Sequence, residues 1–389
     1  MQISIWEKES FFSNKDIIIV GSGFAGLWTA YELIKEKPSR RICIVDRGVI
    51  PTGASTRNAG FSCFGSLSEL VSDAHEMGEE KMLQLVKMRF NGLKKIRKVF
   101  DKHTIDYHNF GGYELFEENG KFDLAKLEKE SKHLNKLLKR IIQQEKTFRL
   151  SDKKIEKFGF AGVKHLVENK LEGQLHSGKL TQALLRELQK REVEFLFGVE
   201  IKKIEKAGKK IELETNQPFT LSADKVIICT NAFTDTLIPN AQVEPARGQV
   251  LVTSEIADLK LKGTFHFDEG FYYFRNLGKR ILLGGARNKF FDEERTTSFE
   301  TSHNIQTELE RFLKNIILPG NKTVGIDYRW SGIMGMGGEK TPTIEELQNN
   351  VYCAIAMGGI GVAVSPIVAE EVRKKFFKRR DDRCEIQDA

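Results

Sequence analysis

Glycines 21, 23 and 26 in the run Gly21-Ser22-Gly23-Phe24-Ala25-Gly26 have the GxGxxG spacing. That spacing lets a chain turn tightly and bring its backbone against a pyrophosphate. Gly21 permits the turn, Gly23 the close approach, and Gly26 the tight packing of a helix on a strand. Asp46 stands twenty residues after Gly26, where a carboxylate accepts hydrogen bonds from ribose hydroxyls. Ser22, Phe24, Ala25 and Arg47 complete this cofactor-binding set. The motif alone leaves NAD and FAD both open. A second group lies in Phe271-Tyr272-Tyr273-Phe274-Arg275. Strand alternation puts Tyr273 and Arg275 on one face, Tyr272 and Phe274 on the other. An arginine fork suits a carboxylate because it binds both oxygens. No His/Cys/Asp cluster has metal-ligand spacing, and no GxSxG nucleophile elbow appears. His176 and His266 lie nearest to these motifs and are expected to have surface or core roles.

The elements that must position these residues are legible in outline. Asp16 to Val20 reads as a buried parallel strand, a short apolar run ending in glycine. A helix from about Phe24 to Lys37 follows, stopped by Pro38, and Arg41 to Asp46 is the next strand. From Ser66 to Phe100 the chain reads as helical. Met82, Val86, Phe90, Leu93, Ile96 and Phe100 form its inner face, and Lys81, Lys87, Arg89, Lys94, Lys95, Arg97 and Lys98 its solvated exterior. Further helices span Leu124 to Ile142 and Leu180 to Arg191. Short strands then run at 193–197, 201–205, 210–214, 225–229, 247–253, 271–275 and 280–285, the last two a hairpin. A strand at 351–356 precedes a glycine loop and a helix with Ser365 as N-cap and Pro366 at its first position.

Composition sets the outer limits. The 389 residues suffice for two domains, and 40% hydrophobic with 30% charged residues argues for a packed globular protein. The excess of 61 basic over 54 acidic residues, +7, is too mild and scattered to imply nucleic-acid binding. No apolar run is long enough for a membrane span. Cys43, Cys63, Cys229, Cys353 and Cys384 are five scattered cysteines without a CxxC, which argues against a disulfide framework and for the cytoplasm.

Five further stretches carry a resemblance. Gly53-Ala54-Ser55-Thr56-Arg57-Asn58-Ala59-Gly60 looks like an ASxRNxG motif, and Lys225 to Ala232 like a later strand and turn. Ile201 opens the run Ile201-Lys202-Lys203-Ile204. Gly358-Gly359-Ile360-Gly361-Val362 looks like a C-terminal GxGv loop, and Ser4-Ile5-Trp6 like a short SxW arm. On these the chain resembles the FAD-dependent D-amino-acid oxidase (DAO) superfamily, in its glycine/sarcosine oxidase and γ-glutamylputrescine oxidase-like branch. The resemblance implies that Ser55, Thr56, Arg57, Asn58, Ala59 and Gly60 lie along the cofactor. Ile201, Thr230, Asn231 and Gly332 are implied beside it, with Gly358, Gly359, Ile360, Gly361 and Val362 at the pyrimidine end of the flavin. The tethering cysteine of sarcosine oxidases has no counterpart in Ser331 to Gly338, so the FAD is expected to be noncovalent. No oxygen-activating lysine is evident in Arg280 to Gly285.

The expected architecture is α/β: an FAD-binding Rossmann-like domain over 1–87, 166–240 and 326–389. A substrate domain over 88–165 and 241–325, a mixed sheet with helices, is interleaved with it. The implied activity is oxidation of the C–N bond of a small amine or amino acid. Electrons go to the flavin, the imine is hydrolysed, and O2 is the expected acceptor. Tyr273, Arg275, Tyr272 and Arg57 are the candidate catalytic residues, with Arg287, Arg329 and Trp330 secondary. Two rivals stand beside this reading. Arg247-Gly248-Gln249 looks like a segment of tRNA wobble-uridine side-chain oxidases of the same fold. A flavin dehydrogenase with another acceptor, or a flavin-binding protein without turnover, is the other. Acid precipitation should leave the yellow flavin in the supernatant; colour kept by the washed pellet would overturn the noncovalent expectation.

Overall fold

The computed structural model describes residues 2–118, 120–239, 241–321 and 323–377; Cys384 and the rest of 378–389 lie outside them. The chain forms two compact units: Met1–Thr56, Leu180–Pro245 and Met334–Ala389 in one, Arg57–Lys179 and Ala246–Ile333 in the other. The domains expected from the sequence instead divide at 87/88, 165/166, 240/241 and 325/326. Residues 57–87 and 166–179 belong to the second unit because their pairings lie there. The Phe61–Ser62 strand pairs with Gly173–Gln174, and Val163–Asn169 pairs with Gly112–Glu117. The Leu67–Met77 helix packs on Glu79–Val99 and Leu124–Ile142.

The first unit is built on strands Lys15–Val20, Ile42–Asp46, Thr220–Ile228, Val351–Ile355 and Glu194–Phe197, paired in parallel. Thr343–Gln348, Lys210–Thr215 and Ile201–Ala207 add antiparallel strands. Ile17, Ile18, Ile19, Ile42, Ile44 and Val45 are buried, as a sheet covered on both faces requires. The Phe24–Glu36 helix packs against Gly361–Phe377. That last helix begins four residues before the expected cap. The 3-10 turn Gly358–Ile360 runs directly into it, leaving Pro366 in the helix interior and the Ser365 hydroxyl donating to Gly361 O. Pro366 is the sixth residue of this helix and has no N–H to give Val362 O, so the helix carries one backbone hydrogen bond fewer there.

The second unit is an eight-stranded mixed sheet. Its strands, in spatial order, are Ile326–Met336, Glu244–Thr253, Arg280–Gly285, Tyr272–Leu277, Thr264–Phe267, Gly112–Glu117, Val163–Asn169 and Phe148–Leu150. One face carries Tyr113, Leu115, Leu251, Phe265, Tyr272, Phe274 and Leu283 against Leu309 and Phe312 of the His303–Phe312 helix. Phe265 stacks on Phe274 with centroids 4.8 Å apart. Cross-strand partners share a face, so the registers Glu114↔His266 and His266↔Tyr273 set a polar row on the opposite side.

The expected single helix from Ser66 to Phe100 is two, Leu67–Met77 and Glu79–Val99. They are parted at Gly78, whose φ of 84° suits glycine and breaks the ladder. Arg89, expected on the exterior, is buried and donates to Glu69 at 2.8 Å and to the Cys63 sulfur. Beside it Glu172, 1% exposed, accepts from the Phe64 amide at 3.0 Å, and burial pushes its carboxyl up to about 8. The fold therefore keeps a proton that the unfolded chain releases near 4.5. Unfolding free energy from this group should fall as pH rises from about 5 to 8. Glu172→Gln should remove that slope and gain on the order of 1–3 kcal/mol relative to wild type at the alkaline end. Denaturant midpoints at pH 5, 6.5 and 8 test it; parallel slopes would mean that the carboxylate is ionised in the fold.

Candidate functional site

In the first unit the motif residues meet at the carboxyl ends of the parallel strands, where open α/β sheets bind ligands. Gly21 follows its strand at φ 106°, and a Cβ there would lie 2.7 Å from Cys229 O. A Cβ on Gly26 would come within 2.0 Å of Gly21 O, so the helix could not seat on the turn. At Gly23 only the Ser55 hydroxyl, at 3.1 Å, crowds the same position. Ser55 Oγ accepts from the Phe24 amide at 2.8 Å, capping a helix end that favours negative charge. Asp46 Oδ2 accepts from the Ser22 amide at 2.8 Å and its hydroxyl at 2.6 Å, while Oδ1 accepts from Gly48 N at 2.9 Å. The same carboxylate thus ties the glycine turn to the second strand end. Val199 N donates to Asp46 O, and Ile201 is buried just beyond. Arg47 is exposed and lies over the Phe233 ring at 4.0 Å. Thr56 donates to Pro51 O at 2.7 Å.

Two further turns in this unit carry the remaining residues. Thr230 Oγ1 is 3.0 Å from Thr234 Oγ1. Asn231 adopts φ 48°, and its Oδ1 accepts from Met357 N at 3.2 Å, joining this turn to the one that opens Gly358–Val362. Gly358 stands at φ 52° and Gly359 is exposed, leading into the Gly361 helix. Bare glycine amides at two helix starts and a carboxylate at the second strand end fit the pyrophosphate and ribose of a dinucleotide.

In the second unit Arg57–Gly60 is strapped down from several sides. Arg57 donates to Ser331 O at 2.9 Å and stacks over Phe299, while Trp330 Nε1 donates to Arg57 O at 2.9 Å. Asn58 Oδ1 accepts from Gly60 N and from the Ser177 hydroxyl. Arg275 Nε donates to Ala59 O at 2.6 Å and Nη2 reaches Leu175 O at 3.4 Å. Gly60 has φ 71°, and a Cβ there would strike Leu175 O at 2.3 Å. Gly332 is buried within the Ile326–Met336 strand. Tyr273 lies with Phe61 and Trp330 against Ala59, Val250 and Leu282. Tyr272 points the other way, stacked on Phe312 at 4.6 Å and donating to Glu308 at 2.5 Å.

Arg275 is 6% exposed, and among the described residues no carboxylate pairs with it; burial brings its guanidinium down to about 10. His266, expected at the surface or in the core, is in the core. It is buried opposite Tyr273, edge-on to Phe61 at 5.2 Å, and its Nε2 has no partner among the described residues. Burial lowers it to about 4, so it is neutral at physiological pH. Only the Thr264–Phe267 strand, not recognised in the sequence, would have exposed this placement. His176 is exposed, with Nδ1 accepting from Lys179 N. Arg329 is spent on Gln306 and Glu310. Arg247 and Gln249 lie in a buried network centred on Glu294, with Arg247 bidentate at 2.7 and 3.0 Å. No described helix is long and apolar enough to cross a membrane.

Comparison with known proteins converges on one group. The DAO model, "FAD dependent oxidoreductase", matches residues 16–374. The chain is 24% identical to "Probable oxidoreductase OrdL" of Rhizobium meliloti (strain 1021) over 361 residues, 90% of this chain and 80% of that one. In fold it is similar to L-proline dehydrogenase from P. horikoshii, with TM-score 0.72, 17% identity and 93% of both chains covered. It is also similar to iminodiacetate oxidase from Chelativorans sp. BNC1, with TM-score 0.72, 16% identity and coverage of 92% of this chain and 94% of that one.

Asp46→Ala should do two things at once. It removes the carboxylate expected at the ribose hydroxyls, and it frees the Ser22 and Gly48 amides. A charge-assisted hydrogen bond contributes on the order of 1.5–3 kcal/mol, so FAD affinity should drop at least tenfold while the apoprotein still unfolds cooperatively. Equilibrium dialysis of flavin with calorimetry of the apoprotein checks it; unchanged affinity would mean that Asp46 serves the turn alone.

Proposed function

Because the chain belongs to the DAO family of FAD-dependent oxidoreductases, we propose that it oxidises the C–N bond of a small amine or amino acid to an imine, which water hydrolyses. The observation that carries this reading is the apolar, aromatic patch of Phe61, Tyr273 and Trp330 around Ala59 in the second unit. Such a surface desolvates an ammonium group and favours the neutral amine, the form that can be oxidised. Bound FAD supplies the two-electron acceptor. Gly21 to Gly26, Asp46, Arg47, Ser55, Thr56, Ile201, Thr230, Asn231 and Gly358 to Val362 of the first unit would hold it.

The protein's own contribution is orientation. Tyr273 and Phe61 present rings to the substrate, and Arg57 stays anchored on Ser331 O. Arg275 braces Ala59 from below, because its bonds go to backbone carbonyls. Tyr272, turned into the core, holds the sheet that carries its neighbour. His266, neutral at working pH, offers a hydrogen bond without a charge. The proposed oxidant is O2, and the unpaired thiols Cys43, Cys63, Cys229 and Cys353 support a reducing, cytoplasmic setting. The Arg247-Gly248-Gln249 segment offers no separate support for a tRNA substrate, since Arg247 and Gln249 are consumed by Glu294.

An anaerobic screen of amines, amino acids and their hydroxyl analogues, read by loss of flavin colour, tests the reading. At least one amine should bleach the flavin, and bleaching by hydroxyl analogues alone would overturn the reading. In the same assay Arg275→Met should slow reduction at least tenfold with little change in half-saturation, as loss of a brace predicts. A rise in half-saturation at unchanged rate would make Arg275 a substrate ligand instead.

A further inference from the structure

The aromatic core of the second unit reaches the surface where the His303–Phe312 helix ends. Beyond Phe312 the helix widens into one turn of π-helix, Leu313–Ile317, closed by the Leu318 amide on Leu313 O at 2.8 Å. Such turns are rare and often mark functional sites. The chain then returns over Gly320, at φ 78°, to the Ile326–Met336 strand. Between helix and strand lies a hollow of about 220 Å³, with Leu313, Leu318, Val324 and Ile326 along its floor. Leu313 belongs to the core, and Leu318 and Ile326 pack against it while staying only half-buried. The floor of the hollow is thus the open edge of the core.

The rim is ionic. Glu310 Oε1 accepts from Arg329 Nη2 at 2.7 Å and Oε2 from Lys314 Nζ at 3.2 Å, so two cations share one carboxylate. Burial pushes the Glu310 carboxyl up, but the bonds from Arg329 and Lys314 outweigh it and bring the group below its ordinary value. Glu310 is therefore ionised at physiological pH, and one positive charge remains in excess. Arg329 is held from behind as well, because Nη1 donates to Gln306 Oε1 at 2.6 Å and Gln306 Nε2 donates to Gln249 Oε1 at 3.1 Å. A guanidinium and an ammonium carry more N–H donors than these bonds use, and among the described residues nothing accepts from the rest. The wall opposite is also fixed: Asn321 Oδ1 accepts from the Val324 amide at 3.2 Å, and Ser254 N donates to Gly325 O at 2.8 Å.

We propose that this hollow binds a small amphiphilic carboxylate, its chain on the apolar floor and its head between Arg329 and Lys314. An apolar concavity with a few placed polar groups is the usual form of a small-molecule site. The volume is below the roughly 300–1,000 Å³ of sites for drug-sized ligands, which selects a short chain. The excess positive charge selects an anion over an amine. The floor selects against inorganic phosphate, which has no apolar part to cover it. No lining residue is shared with the patch of Phe61, Tyr273 and Trp330, so this site goes beyond the oxidation reading and stands without it.

Calorimetric titration of the holoenzyme with octanoate and with its neutral isostere octanamide tests the pocket. Wild type should bind both, octanoate about three- to fivefold more tightly, as partly exposed charge contacts allow. Lys314→Glu sets a second carboxylate on the rim and should remove or reverse that preference while octanamide affinity holds. Leu318→Trp fills the hollow and should weaken both ligands about tenfold or more, since the chain loses its apolar cover. Lys314 is exposed, so its variant tests the head contact even if Leu318→Trp disturbs packing. Absence of binding to wild type, or equal affinity for octanoate and octanamide, overturns the proposal. Octanoate affinity that both variants leave unchanged also overturns it, because the carboxylate is then held elsewhere on the protein.

Discussion

A guanidinium inside a protein demands acceptors, and Arg275 takes its own from the main chain. With no described carboxylate in reach, the charge is solvated by the carbonyls of Ala59 and Leu175. Removing either carbonyl would leave a buried cation short of a partner, a far larger cost than an ordinary hydrogen bond. The chain at Ala59 is therefore held by the arginine's need as much as by its own. Gly60 can take its left-handed turn against Leu175, Asn58 can bridge to Ser177, and Phe61 lies where it meets Tyr273 and His266. A loop that would otherwise be mobile becomes a platform.

The first unit solves a similar problem with a carboxylate. Asp46 accepts from the Ser22 and Gly48 amides, so two strand ends share one anion before any ligand is considered. In both units a single buried or half-buried ionic group organises backbone, and glycines at Gly21, Gly26 and Gly60 are fixed by carbonyls that leave no room for a Cβ. Precision at these sites comes from the main chain, with side chains spent on holding it.

How much of this was readable depended on whether the signal was local. The glycine turn and Asp46 were legible because a buried parallel strand is an unbroken apolar run, and alternation along Tyr272 to Arg275 correctly separated the two faces. Arg89 misled because a helical arginine reads as solvated, while its pairing with Glu69 and the Cys63 thiol is a tertiary fact. The Gly112–Glu117 and Val163–Asn169 strands carry Glu114, His165 and Glu168 inside the fold, which hides them from a hydropathy pattern. The unit divisions at Thr56 and Lys179 depended on those same pairings. Strand alternation put Arg275 first among the arginines, and its bond to Ala59 O is a tertiary fact that the sequence did not carry.

The interleaved order of the chain has a consequence for its birth on the ribosome. In the first unit the Val351–Ile355 strand lies between Thr343–Gln348 and Thr220–Ile228, and the Phe24–Glu36 helix packs against Gly361–Phe377. At about 5–20 residues per second, the early βαβ segment waits on the order of tens of seconds for these partners to be synthesised. The second unit draws its last strand from around Ile333 and can condense first. During that delay Leu27, Trp28 and Leu33, all fully buried in the finished fold, lack their final cover. Until the last helix is made, the apolar face of Phe24–Glu36 is the part of the growing chain most open to wrong contacts.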